Sequence, residues 1–290
     1  WHVIEIDTEP AGEAAVTAQL WAHNTTGIEF SEANPAFLTL RAYFETVPDT
    51  DALRAGIHET LRHEGLPAET LRELKNLSIA EQDWMSEWKK GWQPLPVGDR
   101  LLITPTWKLA EVADSPRVIV QIDPGMAFGT GTHETTRGCL TMLERHWAGR
   151  GANSALLDVG TGTGILAIAA VKLVPGARVA GFDTDPEAIE VALENAAVNS
   201  VADELEIEVN KLSSYAGQDF DVVLANLTAD VVIPLAPEFP AVMKPGGALI
   251  VSGILLPQET EVTEALGAVG FAVLETRPDG EWITIALRLN

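Results

Sequence analysis

The run Asp158-Val159-Gly160-Thr161-Gly162-Thr163-Gly164 sets three glycines at alternate positions directly after an acidic residue. Glycine lets a backbone turn sharply and come close to a ligand with no Cβ in the way. A dinucleotide loop uses Gly-x-Gly-x-x-Gly and rests a pyrophosphate on a helix N-terminus. Here the third glycine comes one position early, and residue 165 is isoleucine. No lysine follows in the manner of a phosphate-binding P-loop. An acid at the head of the loop suits a cationic ligand better than a pyrophosphate. Further on, Asp183 closes Gly181-Phe182-Asp183 with a carboxylate suited to accept from both hydroxyls of a ribose. A charged hydrogen bond of that kind contributes roughly 1.5–3 kcal/mol. Capping of the helix that starts at Pro186 is the local alternative for Asp183, as it is for Asp185.

Asn226, in Asn226-Leu227-Thr228-Ala229, falls at the C-terminal end of an apolar strand. Its amide oxygen can accept a hydrogen bond from an attacking amine without a charge that would favour the protonated, unreactive form. Neutralising a lysine amine of pKa about 10.4 at pH 7.4 already costs roughly 4 kcal/mol. Helix capping is the local alternative here too. The stretch from Asp123 to Thr136 holds three glycines, four threonines and Phe128, and it runs into a helix ending near Trp147. Amides and hydroxyls at such a helix start, with Thr135 and Thr136 among them, suit covering one end of a bound cofactor. His133 has no second histidine or cysteine at ligand spacing, so no metal is expected. Cys139 falls inside the helical run and reads as core.

These residues need a frame that brings them together. From Arg117 onward strands alternate with helices. Strands are expected at 156–159, 178–182, 205–209, 220–225 and 247–252, with helices over 165–174, 186–199 and 258–269. A further helix within 229–243 is broken by Pro234, Pro237 and Pro240. Residues 271–274 and 282–289 close the chain as an antiparallel hairpin. The pattern predicts an α/β fold, a Rossmann-like, mostly parallel sheet with helices on both faces and its ligand crevice at the strand C-termini. Residues 1–80 read β-α-β-β-α-β, a small α+β ferredoxin-like domain. Residues 81–116 read as a connector rich in tryptophan, with Trp84, Trp88, Trp92 and Trp107, and the second domain is expected over 117–290.

Length and charge bound the function. A chain of 290 residues, 46% of them hydrophobic, can fill two cores and is not disordered. No stretch approaches the ~18 apolar residues of a membrane span. The start, Trp1-His2-Val3-Ile4-Glu5-Ile6-Asp7, lacks the basic segment of a signal peptide. A single cysteine excludes an internal disulfide. A cytoplasmic protein is expected, without membrane contact, and nothing demands more than a monomer. The net charge of −23 is divided unevenly: −8 over residues 1–80, −1 over 81–150 and −14 over 151–290. Such a chain repels phosphate backbones, so direct nucleic-acid binding is not expected. A basic protein or a cationic small molecule matches it better.

S-Adenosylmethionine carries an ammonium and a sulfonium and no phosphate, and Asp-x-Gly-x-Gly-x-Gly resembles the first motif of class I methyltransferases. In Trp84-Met85-Ser86-Glu87-Trp88-Lys89, Pro105-Thr106-Trp107, Asp123 through Thr136, Leu157 through Gly164, Asp183-Thr184-Asp185-Pro186, Ala225-Asn226-Leu227, Ser252-Gly253-Ile254 and Gly280-Glu281-Trp282 the sequence also resembles the bacterial methyltransferases of ribosomal large-subunit protein eleven. What the resemblance implies is a small N-terminal domain that docks the ribosomal protein and a catalytic domain that methylates lysine ε-amines and an N-terminal α-amine. S-Adenosylhomocysteine would be the by-product. Carried across by motif, cofactor contacts fall on Thr136 or its neighbour Thr135, and on Gly160, Asp183 and Asn226. Asp158, Gly162, Gly164 and Phe128 complete the expected cofactor shell, and Asn226 with Leu227 the catalytic position. The alternatives are an RNA or DNA amino-methyltransferase, a nicotinamide-dependent oxidoreductase, and a catalytically silent S-adenosylmethionine-binding scaffold.

Overall fold

The computed structural model describes residues 2–31, 37–77, 91–123 and 131–290. Phe128, Trp84 and Trp88 lie outside the described residues. The chain divides into two compact units, Trp1–Trp92 and Gln93–Asn290.

In the first unit, β1 (His2–Thr8), α1 (Glu13–Ala22), β2 (Gly27–Ser31), β3 (Leu38–Phe44), α2 (Thr50–His63) and β4 (Leu71–Leu77) follow the expected order. The strands form an antiparallel sheet in the order β2-β3-β1-β4, the ferredoxin-like arrangement. Alternation explains it: Ile4, Ile6, Leu40, Ala42 and Phe44 point into one core with Leu53, Ile57 and Leu61, which recur every fourth residue on α2. Asp49 caps α2 by accepting from the Asp51 and Ala52 amides, both at 3.0 Å. On the other face of the sheet, cross-strand polar pairs replace apolar ones, with Arg41 on Glu5 at 2.9 Å and Thr39 on Asp7 at 2.6 Å.

The second unit opens with β5 (Leu95–Val97), β6 (Leu101–Thr104), the short α3 (Leu109–Val112) and β7 (Val118–Gln121). The three strands form a small sheet of their own. The second compact unit starts at Gln93, within the stretch 81–116 that the sequence reads as a connector ahead of a domain at 117. Leu101 and Ile103 join Val120 and Ile122 in the same apolar cluster as the following helices, so 93–116 belongs to the second unit's core. Then come α4 (Glu134–Trp147), β8 (Ala155–Val159), α5 (Ile165–Leu173), β9 (Arg178–Asp183), α6 (Pro186–Val198), β10 (Leu205–Val209) and β11 (Phe220–Asn226). The chain ends with α7 (Ala229–Leu235), α8 (Phe239–Val242), β12 (Met243–Leu255), α9 (Glu259–Ala268), β13 (Phe271–Asp279) and β14 (Trp282–Leu289). The expected break at the three prolines separates α7 from α8.

The large sheet runs β10-β9-β8-β11-β12-β14-β13. Its first five strands are parallel, and β14 is antiparallel to both its neighbours. Neighbouring residues of a central strand enter opposite cores: Leu156, Val222 and Ile250 pack with α4 and α5, while Leu157, Val223 and Val251 pack with α7 and α9. Burial on both faces explains why these strands read as unbroken apolar runs rather than alternating ones. The strand order reverses between β8 and β11, and that places a crevice at their C-terminal ends.

The edge strand β7 is closed by a side chain. The Asn199 Oδ1 accepts from the Gln121 amide at 2.9 Å, and its Nδ2 donates to the Gln121 carbonyl at 2.6 Å and the Asn195 carbonyl at 2.9 Å. A single carboxamide thus substitutes for a missing ladder partner. Asn199→Ala is expected to cost about 1–3 kcal/mol, because it strands both polar groups of Gln121. A urea unfolding curve with an unchanged midpoint would show that solvent satisfies them instead.

Candidate functional site

Three of the elements that meet at the strand-order reversal are β8, β9 and β11. The loop after β8 is left-handed at Gly160, Gly162 and Gly164, with φ of +69°, +55° and +77°. It is tied down at each step. The Thr161 amide donates to the Phe182 carbonyl at 2.9 Å, and the Gly162 amide donates to Asp183 Oδ2 at 3.1 Å. The Asn195 side chain donates to the Thr163 carbonyl at 2.9 Å.

Asp183 ends β9 and is half-buried. Its Oδ1 accepts from the Asp185 amide at 3.1 Å. Each carboxylate oxygen has therefore taken one backbone donor and keeps a lone pair for another. The capping role belongs to Asp185, which accepts from the Glu187 amide at 2.9 Å at the start of α6. Asp183 is left to the crevice.

Asp158 is wholly buried within β8. Its Oδ2 accepts from the Thr161 hydroxyl at 2.7 Å, and its Oδ1 has no hydrogen-bond partner. Burial pushes the carboxyl up to about 7; the Thr161 hydroxyl and the Ala167 amide oppose the rise, and the charge of Asp183 adds to it. Cys139, on α4, is buried alongside, and burial holds its thiol well above the usual range. It is core, as expected from the sequence, and unsuited to act as a nucleophile.

Asn226 ends β11. Its Nδ2 lies 3.5 Å from the Thr136 hydroxyl on α4, and its Oδ1 is buried without a partner. It does not cap α7; Thr228 occupies that position. Leu227 donates its amide to the Ser252 carbonyl at 2.9 Å and is gripped by two glycines. A Cβ on Gly160 would stand 2.6 Å from Leu227 Cδ2, and one on Gly253, at φ +82°, 2.6 Å from the Leu227 carbonyl oxygen. That contact joins the glycine loop to the Asn226 segment. His133 caps α4 weakly, its Nδ1 3.3 Å from the Thr135 amide, and its ring meets Trp282 edge-on at 5.3 Å.

The structure thus gathers Asp158, Gly160, Gly162, Asp183, Thr136, Asn226 and Leu227 into one connected region. Two expected contacts face elsewhere. Gly164 starts α5 against Ala192 of α6, where a Cβ would stand 3.1 Å from the alanine Cβ, and Thr135 pairs with His133 Nδ1 at 2.9 Å. Thr161 and Thr284 did not stand out in the sequence. Thr161 carries a local signal, a hydroxyl three residues after a carboxylate. Thr284, bonded to Ser252 at 2.8 Å, has none. Among the described residues no group of three or more histidine, cysteine or acidic side chains is placed to hold a metal. None of their helices is long and apolar enough to cross a membrane.

Two buried acceptor oxygens without partners and a strand-end carboxylate with free lone pairs call for hydrogen-bond donors and positive charge. A nucleoside with both ribose hydroxyls free and a cationic tail fits this set; a pyrophosphate does not. The family model described as ribosomal protein L11 methyltransferase (PrmA) matches residues 1–290. A ribosomal protein L11 methyltransferase of Pelobacter propionicus is 41% identical over 263 residues, covering 87% of this chain and 82% of that one. One from Desulforamulus reducens is 36% identical over 269 residues, covering 93% and 84%. The crystal structure of a ribosomal protein L11 methylase from Lactobacillus delbrueckii subsp. bulgaricus is similar with a TM-score of 0.62 at 31% identity, over 69% of this chain and all of that one.

Proposed function

Since the chain belongs to the ribosomal protein L11 methyltransferase family, we propose that it transfers methyl groups from S-adenosylmethionine to lysine ε-amines and the N-terminal α-amine of ribosomal protein L11. The observation that carries the chemistry is the buried, unpartnered Oδ1 of Asn226 at the end of β11. A neutral acceptor there orients an amine through its N–H and leaves the nitrogen lone pair free to attack. A carboxylate in its place would hold the amine as ammonium.

When bound, S-adenosylmethionine supplies a methyl group on a sulfonium, a leaving group that needs neither metal nor covalent enzyme intermediate. Asp183 receives the ribose hydroxyls on the lone pairs its backbone donors leave free. The glycine loop admits the nucleoside close to the backbone, and Thr136 steadies the Asn226 amide. Leu227 walls the reacting end with apolar surface that keeps water out. Positioning is the main source of rate, with up to about 7–11 kcal/mol available from that effect in general. Among its described residues the first unit carries no such cluster, and the role proposed for it is recognition of the ribosomal protein. The enzyme works as a monomer without contacting nucleic acid.

Intact-mass analysis of purified ribosomal protein L11, after incubation with the protein and S-adenosylmethionine, tests this directly. Mass gains in methyl steps at several amines are expected. Asn226→Ala should lower turnover by about a hundredfold, the loss of one well-placed polar group, while cofactor affinity changes only a few-fold. An unmodified L11, with methyl transfer to ribosomal RNA instead, would overturn the assignment in favour of a base-amine substrate.

A further inference from the structure

We propose that Asp158 stands in the cofactor-free protein as its neutral acid and enters the cofactor complex as a carboxylate, so that binding expels a proton to solvent. The inference rests on the reading above, that the site takes an adenosyl amino acid bearing an ammonium group.

The geometry is unusual for a carboxylate. Asp158 lies inside a central strand with no exposure; its Oδ2 accepts from the Thr161 hydroxyl at 2.7 Å and its Oδ1 is buried without a partner. An ionised carboxylate can accept at about four lone-pair positions, and burying one so poorly paired is costly. Of the groups that face it, the Thr161 hydroxyl and the Ala167 amide of α5 favour the charged form without outweighing burial, and the others give no positive charge. Cys139 from α4 stays a neutral thiol, Ser252 from β12 stands by that thiol as a hydroxyl, and Asp183 from β9 brings like charge. No lysine, arginine or histidine among the described residues contributes to its titration. Burial accordingly raises it to about 7.

The glycine loop begins two residues later, so a ligand cation seated there arrives beside this acid. An opposite charge within about 4–6 Å typically draws a carboxyl down by about 1–3 pH units. The carboxyl O–H bond breaks, its proton passes to water, and the ligand ammonium keeps all its N–H bonds. Below about pH 7 binding must expel the proton, so affinity rises with pH; above it the acid is already ionised and affinity levels off. The free protein shows the opposite trend. Between about pH 4 and 7 the folded state holds a proton that the unfolded chain has released, so stability falls as pH rises through that window.

Titration calorimetry of the full chain with S-adenosylhomocysteine, in buffers of different ionisation enthalpy, counts the protons. A net release of protons is expected at pH 6.5, shrinking towards zero as the pH is raised to 8 and above. Asp158→Asn should bind with no release and no pH dependence below neutrality. Thr161→Val removes the hydroxyl that favours the charged form, so the midpoint of release should move to higher pH. Difference infrared spectra should show the C=O stretch of a protonated carboxyl that disappears on adding S-adenosylhomocysteine. Should Asp158→Asn fail to fold, that band and the Thr161→Val shift decide the matter. Binding with no proton released, or an undiminished release from Asp158→Asn, overturns the proposal while leaving the cofactor reading intact. Absence of any binding sinks both.

Discussion

Asp183→Ala is expected to weaken S-adenosylmethionine binding by about a hundredfold or more while the chain stays folded. Two charged hydrogen bonds to ribose hydroxyls at roughly 1.5–3 kcal/mol each give about 3–6 kcal/mol, which is some two to four decades in dissociation constant. The same carboxylate also accepts from the Gly162 and Asp185 amides, so its removal loosens the loop as well as the ribose contact. Stability should change little, because α6 keeps its own cap in Asp185. Equilibrium dialysis with labelled cofactor measures the first effect, and a thermal melt without cofactor the second. An affinity within threefold of the unsubstituted protein would remove Asp183 from the site.

Gly160→Val should abolish methyl transfer, with a loss of at least about a hundredfold in turnover. The backbone there is left-handed at +69°, a conformation that costs an L-residue roughly 1–2 kcal/mol, and more when it is β-branched. A Cβ would also press to 2.6 Å from Leu227 Cδ2, displacing the residue next to Asn226. The damage falls on geometry, and a shift of about 1 Å at a reacting centre can cost a hundredfold. The steric part is separable. In the milder Gly160→Ala background, Leu227→Ala should restore part of the lost rate, a positive coupling in a double-mutant cycle. Strictly additive losses would show that Leu227 does not transmit the strain.

Much of this architecture was legible in the sequence because its signals are local. The helices over Glu13–Ala22 and Glu259–Ala268 and the strand Leu205–Val209 follow from periodicity and flanking breakers alone. Three prolines between 234 and 240 announce the split into α7 and α8. The glycine loop and the acid that closes the next strand lie within one βαβ unit, so their partnership needs no knowledge of the rest of the chain. The strands ahead of residue 117 were not legible for the complementary reason. Strands as short as Leu95–Val97 and Leu101–Thr104 leave no periodic signature, and which core they join depends on what packs against them.

The site divides along the same line. The sequence by itself determined the glycine loop, the carboxylate at 183 and the uncharged amide at 226, since residue type and position after a strand are one-dimensional facts. Only the tertiary structure decided that Asn226 meets Thr136, ninety residues away, and that Leu227 is seated between Gly160 and Gly253. It also turned Gly164 toward Ala192 and left Asp158 buried with one oxygen unpaired. Burial and the electrostatic field at a buried atom are sums over neighbours remote in sequence. The chain order of residues carries no such sum until strands β8 and β11 lie side by side.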